Sequence, residues 1–338
     1  MLMTMHATPP VLTVPGATPE LTARLQDGLA RVDALLRQVV DHDDPFIAEA
    51  SGHLVAAGGK RFRPLLTLLA AELGTGINDD VVAAAAGVEL THLASLYHDD
   101  VMDEAVVRRG VPSANVSYGN STAILVGDLL FGKASELVAG LGAEAVLIQA
   151  QTFVRLCAGQ IRDARPHPVG VDPVEYYLDI LADKTGVLIA TAGRYGAMFS
   201  GGSPDAVETM RRYGEKVGIA FQLADDLIDI ASEGVESGKT PGTDLREGVD
   251  TLAILRAKAS RDPADDRLLE LLGSDLSHDE AGVDEALRLL RAHPALEQAR
   301  RETYAVALDA QALLDPLPDS DAKAALQALA LSVVQRVG

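Results

Sequence analysis

From Pro19 to about Val40, apolar residues recur at Leu21, Leu25, Leu29, Val32, Leu36 and Val39. Steps of three and four put them on one face of a helix. Thr18 is placed to cap that helix, and Pro19 suits its first position. Similar spacing predicts helices over about 64–74, 79–107, 120–140, 143–165, 172–181, 184–200 and 204–232. Shorter ones are predicted over about 250–259, 263–273, 280–293, 295–314 and 320–336. Pro45, Gly58-Gly59 and Pro64 read as punctuation. No segment alternates with period two for long enough to predict a sheet. Three segments, 81–97, 120–139 and 184–199, are apolar on most faces, the pattern of helices at the centre of a bundle. The expectation is one all-α domain over 19–338. A Thr-, Pro- and Ala-rich disordered tail is expected over 1–18, without the pattern of a signal peptide. No apolar run reaches the length of a membrane span.

Composition supports helices. Hydrophobic residues make up 48% of the chain, led by Ala and Leu, while aromatics are 4%. Ala and Leu favour helices, whereas aromatic and β-branched residues favour strands. The formal charge of −20 repels nucleic acid, so no nucleic-acid partner is expected. An anionic substrate would need local cations or metal ions. Cys157 is the single cysteine, which excludes an intrachain disulfide and fits a cytoplasmic protein. Its apolar neighbours predict a buried, inert thiol.

Two acidic clusters interrupt apolar helical segments. Asp99-Asp100-Val101-Met102-Asp103 and Asp225-Asp226-Leu227-Ile228-Asp229 both have the form Asp-Asp-x-x-Asp. Positions i and i+4 share a helix face, so Asp99 pairs with Asp103 and Asp225 with Asp229. Asp100 and Asp226 are offset to the side. Carboxylates gathered on an apolar helix need compensation. Mg²⁺ supplies it, since it takes one or two carboxylates plus phosphate oxygens and water. The complementary cations are Lys60, Arg61 and Arg63, which follow Gly58-Gly59 and precede a helix start, and Arg108-Arg109 beyond the first cluster. A helix N-terminus favours anions, and guanidinium suits bidentate phosphate binding.

In order, Gly-Gly-Lys-x-x-Arg-Pro at 58–64, Asp99–Asp103, Arg108-Arg109-Gly110, Lys184-Thr185, Phe221-Gln222, Asp225–Asp229 and Gly238-Lys239 resemble the motifs of the trans-type polyprenyl diphosphate synthase family. The resemblance covers about 50–245. It implies an isoprenoid-synthase bundle around a central cavity. It further implies that Lys60, Arg63, Arg109 and His92 hold the diphosphate of isopentenyl diphosphate. Asp99, Asp103 and Asp225 would ligate several Mg²⁺ ions on the allylic diphosphate, with Asp229 acting through water. Arg108, Lys184 and Lys239 would bind that diphosphate directly, and Thr185 and Gln222 would line the place where positive charge develops. His98 is expected to hydrogen-bond beside the aspartates rather than act as a base. The loop at 233–249 is expected to close over the diphosphate. Family membership also implies a homodimer, through the apolar surface of 81–97 or 120–139, and peripheral contact with a membrane.

The allylic tail is expected to run down the first-motif helix. Ala94 and Ser95, about one turn before Asp99, are small and leave that path open. The expected product is therefore a long all-trans polyprenyl diphosphate, heptaprenyl to decaprenyl, with Phe131 as the floor and Leu90 and Thr91 nearby. The alternatives are a geranylgeranyl or other short-chain synthase, a class I terpene cyclase and a non-catalytic partner subunit. The intact second motif and the glycine-rich Lys-Arg site weigh against the last two.

Overall fold

Helix α1 (Pro19–Val40) begins as its sequence dictates, with Thr18 Oγ1 accepting from the Leu21 amide and Pro19 in the first turn. Its stripe of Leu21, Leu25, Val32 and Leu36 is fully buried; each such side chain contributes about 2 kcal/mol. The computed structural model describes residues 14–232 and 241–335. Residues 14–18 of the expected tail are among them and are packed. Val14 is buried, and Gly16 lies so close to Ala328 on α16 (Asp321–Ser332) that a Cβ would stand 2.9 Å from that methyl.

Pro45 starts a helix that the sequence reading took for a break. Asp44 accepts from the Phe46 and Ile47 amides and caps α2 (Pro45–Ala56), with Pro45 at its first position. Tyr97 fixes this helix against α4 (Asp79–Met102) by donating to the Ala50 carbonyl at 2.6 Å. Helix α3 (Phe62–Ala71) follows, and α4 runs through the middle of the bundle, packed against α1, α3, α6 and α9.

The first-motif helix ends at Met102, five residues before the expected end at 107. The chain instead makes a hairpin, with β1 (Val107–Arg108) antiparallel to β2 (Val111–Pro112). Its two-residue turn is Arg109-Gly110, with φ +54° and +78°. Positive φ at both positions is the turn whose twist suits a hairpin. Two residues per strand are too few to leave a period-two signature. The short α5 (Ala114–Tyr118) leads into α6 (Asn120–Ala139) and α7 (Ala143–Asp163).

Helix α8 (Pro173–Leu181) passes through a π-helical turn, Ala182–Gly186, into α9 (Val187–Phe199). The turn is clamped from two sides. A Cβ on Gly159 of α7 would stand 2.8 Å from the Lys184 nitrogen, and one on Gly218 of α10 (Pro204–Ala231) would stand 2.7 Å from the Gly186 Cα. Beyond α10 come α11 (Thr243–Glu247), α12 (Leu252–Lys258), α13 (Asp266–Leu272), α14 (Glu280–Ala292) and α15 (Pro294–Ala312). They build a second apolar cluster with the last turns of α10, so the second aspartate motif sits at the seam between two cores.

Candidate active site

The first cationic group forms where α3, α4 and the hairpin meet. Arg63 lies in the first turn of α3, His92 on α4 and Arg109 in the hairpin turn. Arg109 Nη1 donates to the Leu54 carbonyl at 3.1 Å and to the Gly58 carbonyl, and its guanidinium covers Gly59, where a Cβ would stand 2.9 Å from Cζ. Arg63 Nε is buried with no partner among the described residues. Burial, with Arg109 nearby, pushes the Arg63 guanidinium down to about 10. His92 is held well below the usual imidazole range by burial and by Arg63, Arg109, Arg108 and Arg61. It is therefore neutral at pH 7, with one ring nitrogen to donate and one to accept. Lys60 is exposed on the turn before α3. Three of the four expected residues thus converge, with an unsatisfied buried donor among them and Lys60 at the edge.

Arg61 departs from its neighbours. It adopts φ +47° and turns to Asp33 (2.9 Å), Glu89 (2.8 Å) and the Val55 carbonyl (3.2 Å).

The two aspartate motifs occupy the last turns of α4 and α10. Burial, with Asp103 and Asp100 alongside, pushes the Asp99 carboxyl up to about 6 against the pull of Lys184. Lys184 projects from the π-turn and donates to Asp163 at 2.7 Å. Burial opposes its charge, but that bond and the carboxylates of Asp163, Asp99 and Asp103 raise it on balance. Glu247, at the end of α11, is raised by burial and by both Asp103 and Asp229, with Lys184 pulling the other way. One carboxylate that senses both motifs places them across a common space.

The middle aspartates are engaged elsewhere. Asp100 is fully buried and accepts from Arg108 Nε at 2.6 Å, and Arg108 also approaches Asp103 at 4.0 Å. Asp226 accepts from the Tyr177 hydroxyl and from Gln222 Nε2 at 3.0 Å, and burial pushes its carboxyl up to about 6. Thr185 Oγ1 meets Gln222 Oε1 at 3.4 Å. Asp229 has a further role, since its two oxygens accept from the Thr243 and Asp244 amides, both at 3.1 Å, and so cap α11. Lys239 and the expected closure of the loop at 233–249 fall largely outside the described residues, which omit 233–240.

No three acidic, histidine or cysteine side chains among the described residues stand close enough to hold an ion by themselves. The Asp99 carboxyl, raised chiefly by burial, offers the hard oxygen ligand that Mg²⁺ takes together with phosphate oxygens and water.

Ala94 is fully buried on α4 facing α6, and Ser95 donates to the His92 carbonyl at 2.8 Å. Below them, between α4, α6, α7 and α9, lies a small void of about 10 Å³, room for about one water, whose wall includes Val88, Thr91, Val138, Gln149, Leu188 and Tyr195. Phe131 is not part of that wall. Its ring packs on Phe153 at 4.3 Å and on His98 at 5.7 Å, toward α7. His98 bonds to the Ile124 carbonyl at 3.1 Å and stands 3.4 Å from Asp128, away from proton-transfer duty.

Sequence reasoning missed Glu89, Tyr177, Asp163 and Glu247. Glu89 had a signal, an isolated acid inside the apolar run 81–97. Tyr177 and Asp163 lie in ordinary amphipathic helices and show none.

Two acidic helix ends and two sets of cations around one apolar bundle make a site for paired diphosphates. The family described as polyprenyl synthetase matches residues 44–290, and the chain belongs to it. It is 49% identical over 317 residues to the nonaprenyl diphosphate synthase of Mycobacterium tuberculosis, covering 94% of each chain. The crystal structure of geranylgeranyl pyrophosphate synthase from Corynebacterium glutamicum, complexed with calcium and isoprenyl diphosphate, superposes with a TM-score of 0.86 at 44% identity, covering 95% of this chain and 98% of the other. A decaprenyl diphosphate synthase from Rhodobacter capsulatus gives 0.84 at 33% identity, covering 94% and 99%.

Proposed function

We propose that this chain is a Mg²⁺-dependent prenyltransferase that lengthens an allylic diphosphate with isopentenyl diphosphate units to a long all-trans polyprenyl diphosphate. The observation that supports the reading is that Arg63 and Arg109 lie near His92, while Lys184 lies near Asp99 and Asp103, with Glu247 near both motifs. Each set suits one diphosphate.

Asp99, Asp103 and Asp225 would hold the metal, with Asp229 behind water. Bound there, Mg²⁺ would offset the charge of the departing diphosphate. Lys184 adds a cation on the same side, and Arg108 needs only to loosen from Asp100 to join it. As the allylic C–O bond breaks, Gln222 Oε1 and Thr185 Oγ1 offer lone pairs to the developing carbocation. Tyr177 and Asp226 fix the Gln222 amide so that its oxygen, not its NH₂, faces Thr185. The double bond held by the Arg63–His92–Arg109 pocket attacks, and the proton lost leaves with the diphosphate. No general-base side chain is required.

The small Ala94 and Ser95, one turn before Asp99, favour a product longer than geranylgeranyl. Among the relatives, the nonaprenyl and decaprenyl enzymes support this size, while the Corynebacterium enzyme makes the short product the second reading.

The functional unit is a homodimer formed through α6 and α7. This face is preferred to the surface of 81–97, because most of α4 is buried in the bundle. Leu125 on α6 and Leu147, Val154 and Ile161 on α7 are each more than half exposed, an apolar face of the kind that subunit contacts cover. Cys157 lies on the same helix and is exposed, contrary to the buried thiol expected. No helix among the described residues is long and apolar enough to cross a membrane. The proposed location is the cytoplasm, with exposed Met102, Val106 and Val107 beside the first motif as a peripheral contact with the bilayer that receives the product.

The test is a product assay with Mg²⁺, labelled isopentenyl diphosphate and allylic starters of ten, fifteen and twenty carbons. A ladder extending beyond twenty carbons is expected. A stop at twenty would support the short-chain reading, and no incorporation would overturn the activity.

A further inference from the structure

Glu89 stands on α4 within the most buried part of the bundle, 2% exposed. A carboxylate there is costly unless it is paired. Its Oε1 takes Arg61 Nη1 at 2.8 Å and lies 3.7 Å from Arg109 Nη2. Both arginines adopt the left-handed backbone region that long side chains avoid, so both depend on their surroundings to stay there. Arg61 is further tied to Asp33 and to the Val55 carbonyl.

Three guanidinium groups and a neutral imidazole share this corner. Like charges held so close repel, and Glu89 is the acid that favours the charged forms of both Arg63 and Arg109. A carboxylate in contact with a diphosphate would repel it. Glu89 instead backs the guanidiniums that would bind one.

We propose that Glu89 is a positioning residue that holds Arg109, with Arg61 as a brace, in the orientation that receives isopentenyl diphosphate, without touching the substrate itself. The inference rests on reading Arg63, His92 and Arg109 as that substrate's pocket. Asp33, Arg61, Glu89 and Arg109 then form one chain of alternating charge from α1 to the hairpin.

The experiment uses the full-length enzyme with Mg²⁺ and the substitution Glu89→Gln, which keeps shape and removes charge. The KM for isopentenyl diphosphate is expected to rise at least tenfold. The allylic KM and the kcat at saturation should stay within about threefold of wild type, as an interaction that only sets ground-state affinity requires. Calorimetric titration of isopentenyl diphosphate should show the same loss, and Glu89→Asp should restore part of it. Equal rises in both KM values, or an isopentenyl KM unchanged or lowered, overturn the assignment. If Glu89→Gln lacks the helical signal of wild type, Asp33→Asn reads the same axis, because Asp33 is 41% exposed and only braces Arg61. A two- to threefold rise confined to isopentenyl diphosphate is expected there, and no change overturns the proposal. Elongation by wild type with unmoved variants defeats Glu89 alone, whereas a wild type that incorporates nothing defeats the pocket and the inference together.

Discussion

Arg108 on β1 donates to Asp100 on α4 at 2.6 Å, so the second aspartate of the first motif is committed to a neighbour and not to the open site. This separates three residues that look equivalent in sequence. Asp99→Ala is expected to lower kcat by at least about a hundredfold, the scale of losing one main electrostatic group. Asp100→Ala should lower it less, because Arg108 is partly exposed and re-solvates. Steady-state kinetics of both variants, with Asp225→Ala as a second severe case, checks the ranking. Equal losses at positions 99 and 100 would contradict it.

His92 gives a pH signature. Its folded-state pKa lies well below the ordinary imidazole value of 6.5, so below pH 6.5 the unfolded chain binds more protons than the native state. The stability it contributes is complete above pH 6.5 and is lost as pH falls toward the depressed folded value. The slope is at most about 1.4 kcal/mol per pH unit. Denaturant unfolding of wild type and His92→Gln at pH 7.5 and 5.5 should show a smaller acid loss in the variant. Parallel losses would mean that His92 is not held neutral.

The π-turn that presents Lys184 and Thr185 depends on small neighbours. Gly159→Ala places a methyl 2.8 Å from the Lys184 nitrogen and must push the turn. Overpacking of this kind costs about 1–3 kcal/mol of stability. We expect a drop of about tenfold or more in kcat, since both displaced side chains belong to the proposed allylic site. A stability loss with unchanged kcat would show that the turn's geometry is dispensable.

Product length follows from the path along α4. Ser95→Phe should shorten the product, and Tyr195→Ala should lengthen it by opening the wall of the lower cavity. Phe131→Ala should leave the distribution unchanged, because that ring packs toward Phe153 and His98. Chromatography of the dephosphorylated products distinguishes these outcomes.

Helical periodicity was strong enough to place α1, α6, α7, α9 and α10 within a few residues, because each carries a long apolar stripe. It failed at α2, where Pro45 looked like a break and is a first-turn proline, and at 103–112, where a four-residue strand pair has no period to detect. The aspartate motifs were legible because carboxylates are rare in apolar helices. What spacing could not show is which partner each charge would choose. Arg61 and Arg63 are two residues apart and look alike. A left-handed backbone at Arg61 sends it to Asp33 and Glu89 while Arg63 stays in the pocket. Cys157 was misjudged for a related reason. An apolar neighbourhood in sequence does not say whether the burying surface belongs to this chain or to another.

The rings of Phe153, Phe131 and His98 meet in a row of tilted contacts from the exposed face of α7 to the residue before Asp99. On the proposed dimer a partner would cover Phe153, so whatever presses on that ring bears through Phe131 on the residue that precedes the first aspartate. Specific activity should then fall on dilution, as the outer ring is uncovered.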